Sequence, residues 1–224
     1  MRATRRDILA AALAAPALTA AAETVKPATA APSSSPSRAG GDLLSRMTWF
    51  NPPARENYNA GQLTMRSKGR TDFWRKTFYG YVTDNGHFLN LRVAGDFTFQ
   101  ARVDGNYAAL YDQAGLMVRL DEQNWMKCGS ELVEGRRWAS VVFTRDFSDW
   151  STMDDLSQVG PVYWRVARRK DSIEAQCSKD GEKFLTIRQG YFPPKVEVMV
   201  GVMSAAPEGT GFDAMFDQIT LDSA

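Results

Sequence analysis

One row of side chains in the sequence combines the residue types that bind polyhydroxylated ligands. Trp125, Lys127 and Glu131 alternate along one segment, with Gly129 between the two charged residues. Because residues two apart on a strand point to the same face of a sheet, these residues form a row of an aromatic ring, a cation, a gap and a carboxylate. Such a row makes a poor hydrophobic core. It predicts a polar groove on the outer face of a sheet.

Sugars present apolar C–H faces and a rim of hydroxyl groups, so their sites combine flat aromatic rings with planar polar side chains. The candidate ligand-binding residues are Trp74, Tyr79, His87, Gln113, Trp125, Lys127, Glu131 and Arg165. For each aromatic residue taken singly, a place in the core is an equal alternative. Lys127 and Glu131 could instead form a structural ion pair with each other. For Trp138, Trp150 and Trp164 we expect a place in the core.

Glycoside hydrolysis is the enzymatic alternative. It requires two carboxyl groups, about 5–5.5 Å apart for retention or about 6.5–9.5 Å apart for inversion. A pair assembled across strands from Glu131 with Asp112 or Asp149 is conceivable, although both aspartates are expected to cap turns through backbone N–H groups. The sequence therefore favours a binding protein over an enzyme, and no residue is assigned a catalytic role.

The composition narrows the function classes further. The chain has 224 residues with 27 Lys and Arg against 26 Asp and Glu, so no basic excess suggests a nucleic-acid partner. Hydrophobic residues make up 44% and charged residues 24%, which is typical of a globular protein. One histidine and two cysteines are too few for a multi-histidine metal site or a disulfide scaffold. We therefore expect no metal and no cofactor, and the oligomeric state stays open.

The first residues have the features of an export signal. Arg5 and Arg6 precede an alanine-rich apolar run, in a pattern similar to the twin-arginine motif. The run is shorter than the roughly 20 apolar residues that cross a membrane, so we predict a signal peptide over residues 1–22 and export to the periplasm. A Pro-, Ser- and Ala-rich linker is predicted over 23–41. The folded domain then occupies 42–224, with no membrane span in the mature chain.

Short alternating runs separated by turn residues recur through the body of the chain. Phe97, Phe99, Ala101 and Val103 alternate with polar residues, and four valines alternate over 196–202. A period of two is typical of strands, and no long segment shows a sustained helical period. Many short strands at this spacing predict an all-β antiparallel sandwich.

Several motifs resemble one family. Shared with it are Asp72-Phe73-Trp74, Tyr79-Gly80, Gly86-His87-Phe88, Tyr111-Asp112-Gln113-Ala114-Gly115-Leu116-Met117, Trp125-x-Lys127-x-Gly129-x-Glu131 and Ser148-Asp149-Trp150. The chain is similar, over about residues 47–221, to the domain-of-unknown-function family typified by the yeast regulator-of-enolase protein. The resemblance implies a concanavalin A-like jelly roll, but the family has no settled activity.

Two kinds of binding partner stay open. A saccharide-like small molecule on the concave sheet is the leading hypothesis, and a protein-interaction module is an alternative to it. A small ligand requires a groove with aromatic rings beside polar groups, whereas a protein interface is flatter and more apolar at its centre. The shape of that face therefore distinguishes the two hypotheses.

Overall fold

The computed structural model describes residues 43–154 and 157–223. Within them, a short helical turn at 43–45 is followed by sixteen strands. The predicted signal peptide and linker fall on residues outside this range and stay predictions. No described helix has the length and apolar character needed to cross a membrane.

Fourteen of these strands form two seven-stranded antiparallel sheets. The first sheet contains, in spatial order, β1 (Thr48–Phe50), β6 (His87–Val93), β15 (Val198–Ala205), β8 (Gln113–Arg119), β9 (Asn124–Val133), β10 (Arg136–Arg145) and β11 (Phe147–Asp154). The second contains β14 (Leu185–Tyr191), β13 (Ser172–Ser178), β12 (Val162–Arg169), β7 (Phe97–Gly105), β16 (Asp213–Ser223), β3 (Gln62–Arg66) and β2 (Arg55–Asn59). The predicted antiparallel β-sandwich is confirmed.

Alternation along the strands builds the main core between the two sheets. Phe97, Phe99, Ala101 and Val103 point inward from β7, as their spacing predicts, and they meet Leu116 and its neighbours from β8. The valines of 196–202 join the same core. Since each inward residue is followed by an outward one, the opposite faces of both sheets receive the intervening side chains.

A second apolar cluster lies on the outer face of the first sheet, which is the face pointing away from the second sheet. Its centre contains Phe88 from β6, Met117 from β8 and Trp125 from β9. A two-stranded hairpin covers it, formed by β4 (Phe73–Arg75) and β5 (Val82–Asp84). We call residues 72–86 the covering hairpin. It lies over the face on which the sequence places a polar groove.

Candidate functional site

Polar contacts from three strands hold the covering hairpin on the outer face. Lys127 on β9 donates from Nζ to Asp72 Oδ1 at 3.0 Å and to the carbonyl oxygen of Phe73 at 2.8 Å. Arg119 on β8 makes two bonds to the carboxylate of Asp84, of 2.7 and 2.8 Å. At the edge strand β11, Ser148 Oγ accepts a hydrogen bond from the backbone N–H of Arg75 at 2.9 Å. The hairpin therefore crosses the sheet from its middle strands to its edge.

This arrangement buries two of the predicted aromatic platforms. Trp74 is 3% exposed and Trp125 is 1% exposed. The ring of Phe73 meets that of Trp125 edge to face, with centroids 6.2 Å apart. Since stacking on a sugar needs an open ring face, neither indole can serve as a platform while the hairpin lies in this position. Both rings instead pack the hairpin onto the sheet.

Lys127 and Glu131 have separate partners. The ion pair of Lys127 is with Asp72, and both side chains are almost fully buried. Gln113 Nε2 donates to the same Asp72 oxygen at 3.3 Å. Glu131 accepts instead from the indole N–H of Trp150, at 3.0 Å. The ion pair of Lys127 with Asp72 and the bond of Glu131 with Trp150 are contacts that the sequence does not predict.

Trp150 marks the part of the outer face that combines an aromatic ring with polar groups. Its indole N–H is shared between Glu131 Oε2 and Ser140 Oγ, each at 3.0 Å, and its ring is partly exposed. Beside Ser140 is a cavity of about 10 Å³, lined by Gln113, Ala114, Lys127, Cys128, Gly129, Ser140 and Met203. That volume holds roughly one water molecule or one ligand hydroxyl. Ser140 lines this cavity and also accepts from Trp150, so the indole and the carboxylate of Glu131 lie next to the cavity without lining it.

Two glycines lie opposite each other next to this cavity. Gly115 on β8 lies opposite Gly129 on β9. A Cβ atom on Gly115 would overlap the carbonyl oxygen of Cys128, and one on Gly129 would overlap that of Ala114. The gap that alternation predicts between Lys127 and Glu131 is therefore required by the close approach of the two backbones.

His87 is a structural residue at the start of β6. Its side chain is 1% exposed; Nε2 accepts from the N–H of Lys68 at 2.9 Å and Nδ1 lies 2.8 Å from the carbonyl oxygen of Asn51. The imidazole is therefore neutral, with its proton on Nδ1. Burial lowers the pKa of His87 below its usual value of 6.5, and the hydrogen bond to Asn51 partly opposes this shift. Its two contacts join neighbouring backbone segments and leave no ring nitrogen for a ligand.

The lowered pKa of His87 predicts a pH-dependent stability. Below about pH 6.5 the unfolded chain binds a proton that the folded chain does not, so the free energy of unfolding falls as the pH falls through this window. The His87→Gln variant is expected to be less stable by about 1–3 kcal/mol at pH 7.5, because buried polar partners are left unsatisfied. It is also expected to lose less stability between pH 7.5 and 5, which urea unfolding at each pH would measure. Since His87 is the chain's one histidine, equal slopes in both proteins would contradict this account.

Arg165 does not lie with the other candidate residues, and its predicted place in the site is corrected. It belongs to β12 in the second sheet, on the other side of the sandwich from the covering hairpin. Two of its nitrogens donate to Gln100 Oε1, at 3.0 and 2.8 Å, and its guanidinium stacks 3.5 Å from the ring centroid of Phe184. Sequence alternation could not decide which of the two sheets would carry this strand.

The two aspartates of the hydrolase alternative each have other contacts. Asp112 caps a turn, as predicted, by accepting from the N–H groups of Ala108 and Ala109, both at 2.9 Å, and burial raises its pKa. Asp149 instead lies within β11 and accepts from Arg188 Nη2 at 2.8 Å. Since Asp149 alternates with Trp150, it points away from the face that carries Glu131.

The two cysteines are buried, and no disulfide joins them in the part of the chain that the structure describes. Cys128 points into the main core, as alternation predicts, and burial strongly raises the pKa of its thiol. A thiol in such surroundings is unreactive, because the thiolate is the nucleophile. Within residues 43–154 and 157–223, no three His, Cys, Asp or Glu side chains converge as metal ligands would.

The structure thus brings Trp74, Tyr79, Gln113, Trp125, Lys127 and Glu131 to one face. The contributions of Asp72, Ser140 and Trp150 were not predicted from the sequence. The sequence predicts a core position for Trp150, but Trp150 follows Ser148 by two residues and so faces the hairpin with it. The partner of Lys127, Asp72, is distant in sequence, and no periodic pattern connects them.

The sequence matches a family model and a yeast protein over most of the chain. A sequence model for a protein family of unknown function (DUF1349) matches residues 49–224. The Saccharomyces cerevisiae protein "Regulation of enolase protein 1" is 39% identical over 178 residues, covering 80% of this chain and 90% of the yeast protein. The resemblance stated from the sequence motifs is confirmed.

Two solved structures resemble this one. The crystal structure of a functionally unknown protein from Saccharomyces cerevisiae matches with a TM-score of 0.78 and 39% identity, over 81% of this chain and 98% of that chain. The carbohydrate-binding module CBM66 from Bacillus subtilis matches with a TM-score of 0.53 and 12% identity, over 79% and 97% of the respective chains. At 12% identity this second likeness shows the fold alone.

The yeast relative corrects the predicted localisation. Yeast has neither a periplasm nor a twin-arginine pathway, and the protein that matches most of this chain is a yeast protein. The prediction of twin-arginine export to the periplasm is therefore contradicted.

Proposed function

We propose that this chain, which belongs to the DUF1349 family of proteins of unknown function, is a binding module for a carbohydrate or similar polyhydroxylated ligand. The ligand contacts the outer face of the first sheet along the margin of the covering hairpin. Trp150 and Tyr79 present partly exposed rings there. Gln113 and Glu131 are 5% and 2% exposed, so they support the site from beneath together with Trp74, Trp125 and Lys127, and Glu131 fixes the indole of Trp150.

One observation carries this proposal. The indole N–H of Trp150 is fixed by Glu131 and Ser140 beside a cavity with room for about one hydroxyl group. A ring held in this way has lost its freedom before the ligand arrives, so binding orders fewer groups. A sugar ring stacked on Trp150 could direct a hydroxyl toward the cavity. The low-identity likeness to a carbohydrate-binding module is consistent with such a use of the fold.

A thermal-shift screen of the protein against xylo-, cello-, laminari- and fructo-oligosaccharides tests the proposal. A ligand at 100 times its Kd stabilises a folded protein by about 2.7 kcal/mol. For a domain of this size, that corresponds to a Tm increase of roughly 5–10 °C. Chromatography of each ligand that binds, after long incubation, shows whether any glycosidic bond is cleaved. Cleavage would revive the hydrolase alternative.

The Trp150→Ala variant is expected to bind the same ligand about tenfold more weakly, because a stacking platform and its fixed hydrogen bonds are removed. The matched control is Arg165→Ala on the second sheet, which should leave Kd unchanged when measured by isothermal titration calorimetry. A complete screen without any Tm increase would reject the saccharide proposal and favour the protein-interaction alternative. Equal weakening by both variants would place the ligand away from Trp150.

A further inference from the structure

The tip of the covering hairpin has an unusual backbone. Lys76 and Phe78 have positive φ angles of 56° and 65°. The N–H of Thr77 bonds to the carbonyl of Arg75 at 2.7 Å, and the N–H of Tyr79 bonds to that of Thr77 at 2.8 Å. Each bond closes a three-residue turn around a residue with positive φ, which is the rare and strained form of the γ-turn. Two such turns follow each other in the tip.

Strain at Phe78 has no evident structural benefit. A bulky residue with positive φ is an outlier, and such residues persist only where the surrounding structure holds them in place. The tip is held by the bond from the N–H of Lys76 to the carbonyl of Tyr81 and by the ion pairs of Arg75 and Lys76 with Asp146. The side chain of Phe78, which this strained turn positions, is 54% exposed. An exposed ring on a strained turn indicates a function.

The tip rings form a continuous aromatic ladder that leads out of the buried cluster. Trp74 meets Tyr79 edge to face at 5.9 Å, Tyr79 stacks on Tyr81 at 5.3 Å with an interplanar angle of 27°, and Phe78 meets Tyr79 edge to face at 4.9 Å. Trp74 is 3% exposed, whereas Tyr81 is 44% exposed. Tyr79 packs against the same outer cluster as Trp150. The ladder therefore extends the face that carries Trp150 into solvent.

We propose that Phe78 and Tyr81 form a second saccharide subsite, which stacks on sugar units of an oligosaccharide beyond the one held at Trp150. This inference rests on the proposed function and deepens it, since it makes the ligand a chain rather than a single sugar. Tyr81 stacks on Tyr79 with one face and, like Phe78, is about half exposed, so each of the two rings offers an apolar surface to the C–H faces of a sugar chain. Rings pre-positioned by a strained turn lose little further entropy when the chain binds.

The test compares disaccharides with hexasaccharides of the xylo-, cello- and laminari- series, using the full chain. The Phe78→Gly and Tyr81→Ala variants are expected to bind the hexasaccharide roughly 3- to 10-fold more weakly and the disaccharide as the wild type does. Phe78→Ala keeps the positive φ and serves as the reference for strain. Because glycine adopts positive φ freely, Phe78→Gly should have a higher Tm than Phe78→Ala, although glycine is normally the less stable of the two.

Tyr58→Ala is the matched control, since Tyr58 is 45% exposed and lies on β2 of the second sheet. It should bind both lengths as the wild type does. Unchanged hexasaccharide binding in the tip variants, or an equal loss for both lengths, would overturn the subsite while the proposed function survives. A wild type that binds neither length would overturn both, and these two failures are distinguishable. A Phe78→Gly variant with a Tm below that of Phe78→Ala would refute the strain argument.

Discussion

The Lys127→Ala variant is expected to unfold with a free energy about 3–5 kcal/mol lower than that of the wild type. Its ammonium group bonds to Asp72 Oδ1 and to the carbonyl oxygen of Phe73, and the side chains of the pair are 5% and 6% exposed. Removing the cation leaves the carboxylate of Asp72 in a buried position without its compensating charge. Urea unfolding followed by circular dichroism would measure the difference.

The matched control is Arg92→Ala on β6 of the same sheet, which breaks an exposed ion pair with Glu197. An exposed pair contributes about 0–1 kcal/mol, so this variant should remain close to the wild type. A double variant, Lys127→Met with Asp72→Asn, removes both charges and should recover part of the lost stability. If Lys127→Ala were no less stable than Arg92→Ala, the ion pair would not be what holds the covering hairpin.

The Trp125→Ala variant is expected to lose about 3–5 kcal/mol, the usual range for deleting a fully buried large aromatic residue. The indole is 1% exposed, packs edge to face against Phe73 and donates to the carbonyl oxygen of Glu122 at 3.2 Å. Its deletion leaves a cavity directly beneath the hairpin. Calorimetric Tm values and the free energy from urea unfolding would both report the loss.

Trp138→Ala provides the comparison, because Trp138 lies on the same face of the first sheet but is partly exposed. Its indole N–H bonds to the carbonyl oxygen of Val133 at 3.3 Å, and the expected loss is about 1 kcal/mol. Similar losses for the two variants would mean that the hairpin does not bury Trp125 in solution. The contact of Trp125 with the hairpin would then need revision, and its face could serve a ligand directly.

Two residues of the polar row on β9 have a structural role. Lys127 and Trp125 support the hairpin, so their replacement affects folding before it affects any ligand. Glu131 positions Trp150, and this contact connects the row to the open margin of the site. Binding is therefore best tested at Trp150, Phe78 and Tyr81. These side chains are more exposed, so their replacement should lower the free energy of unfolding less.

The sequence alone predicts the strands and which of their side chains face the main core. Phe97 to Val103 and the valines of 196–202 alternate with a period of two, and that period decides which side chains enter the main core. The same rule places Trp125, Lys127, Gly129 and Glu131 on one face. These are local properties of single strands, so they can be inferred without knowing which strands become neighbours.

Tertiary structure decides what covers that face and which sheet carries each strand. The pairing of Lys127 with Asp72 and the cover over Trp125 depend on a hairpin distant in sequence. Arg165 alternates as regularly as Lys127, yet its strand lies in the other sheet. Strand order and hairpin docking follow from the burial and charge pairing of the whole chain. A pattern with a period of two contains no information about either.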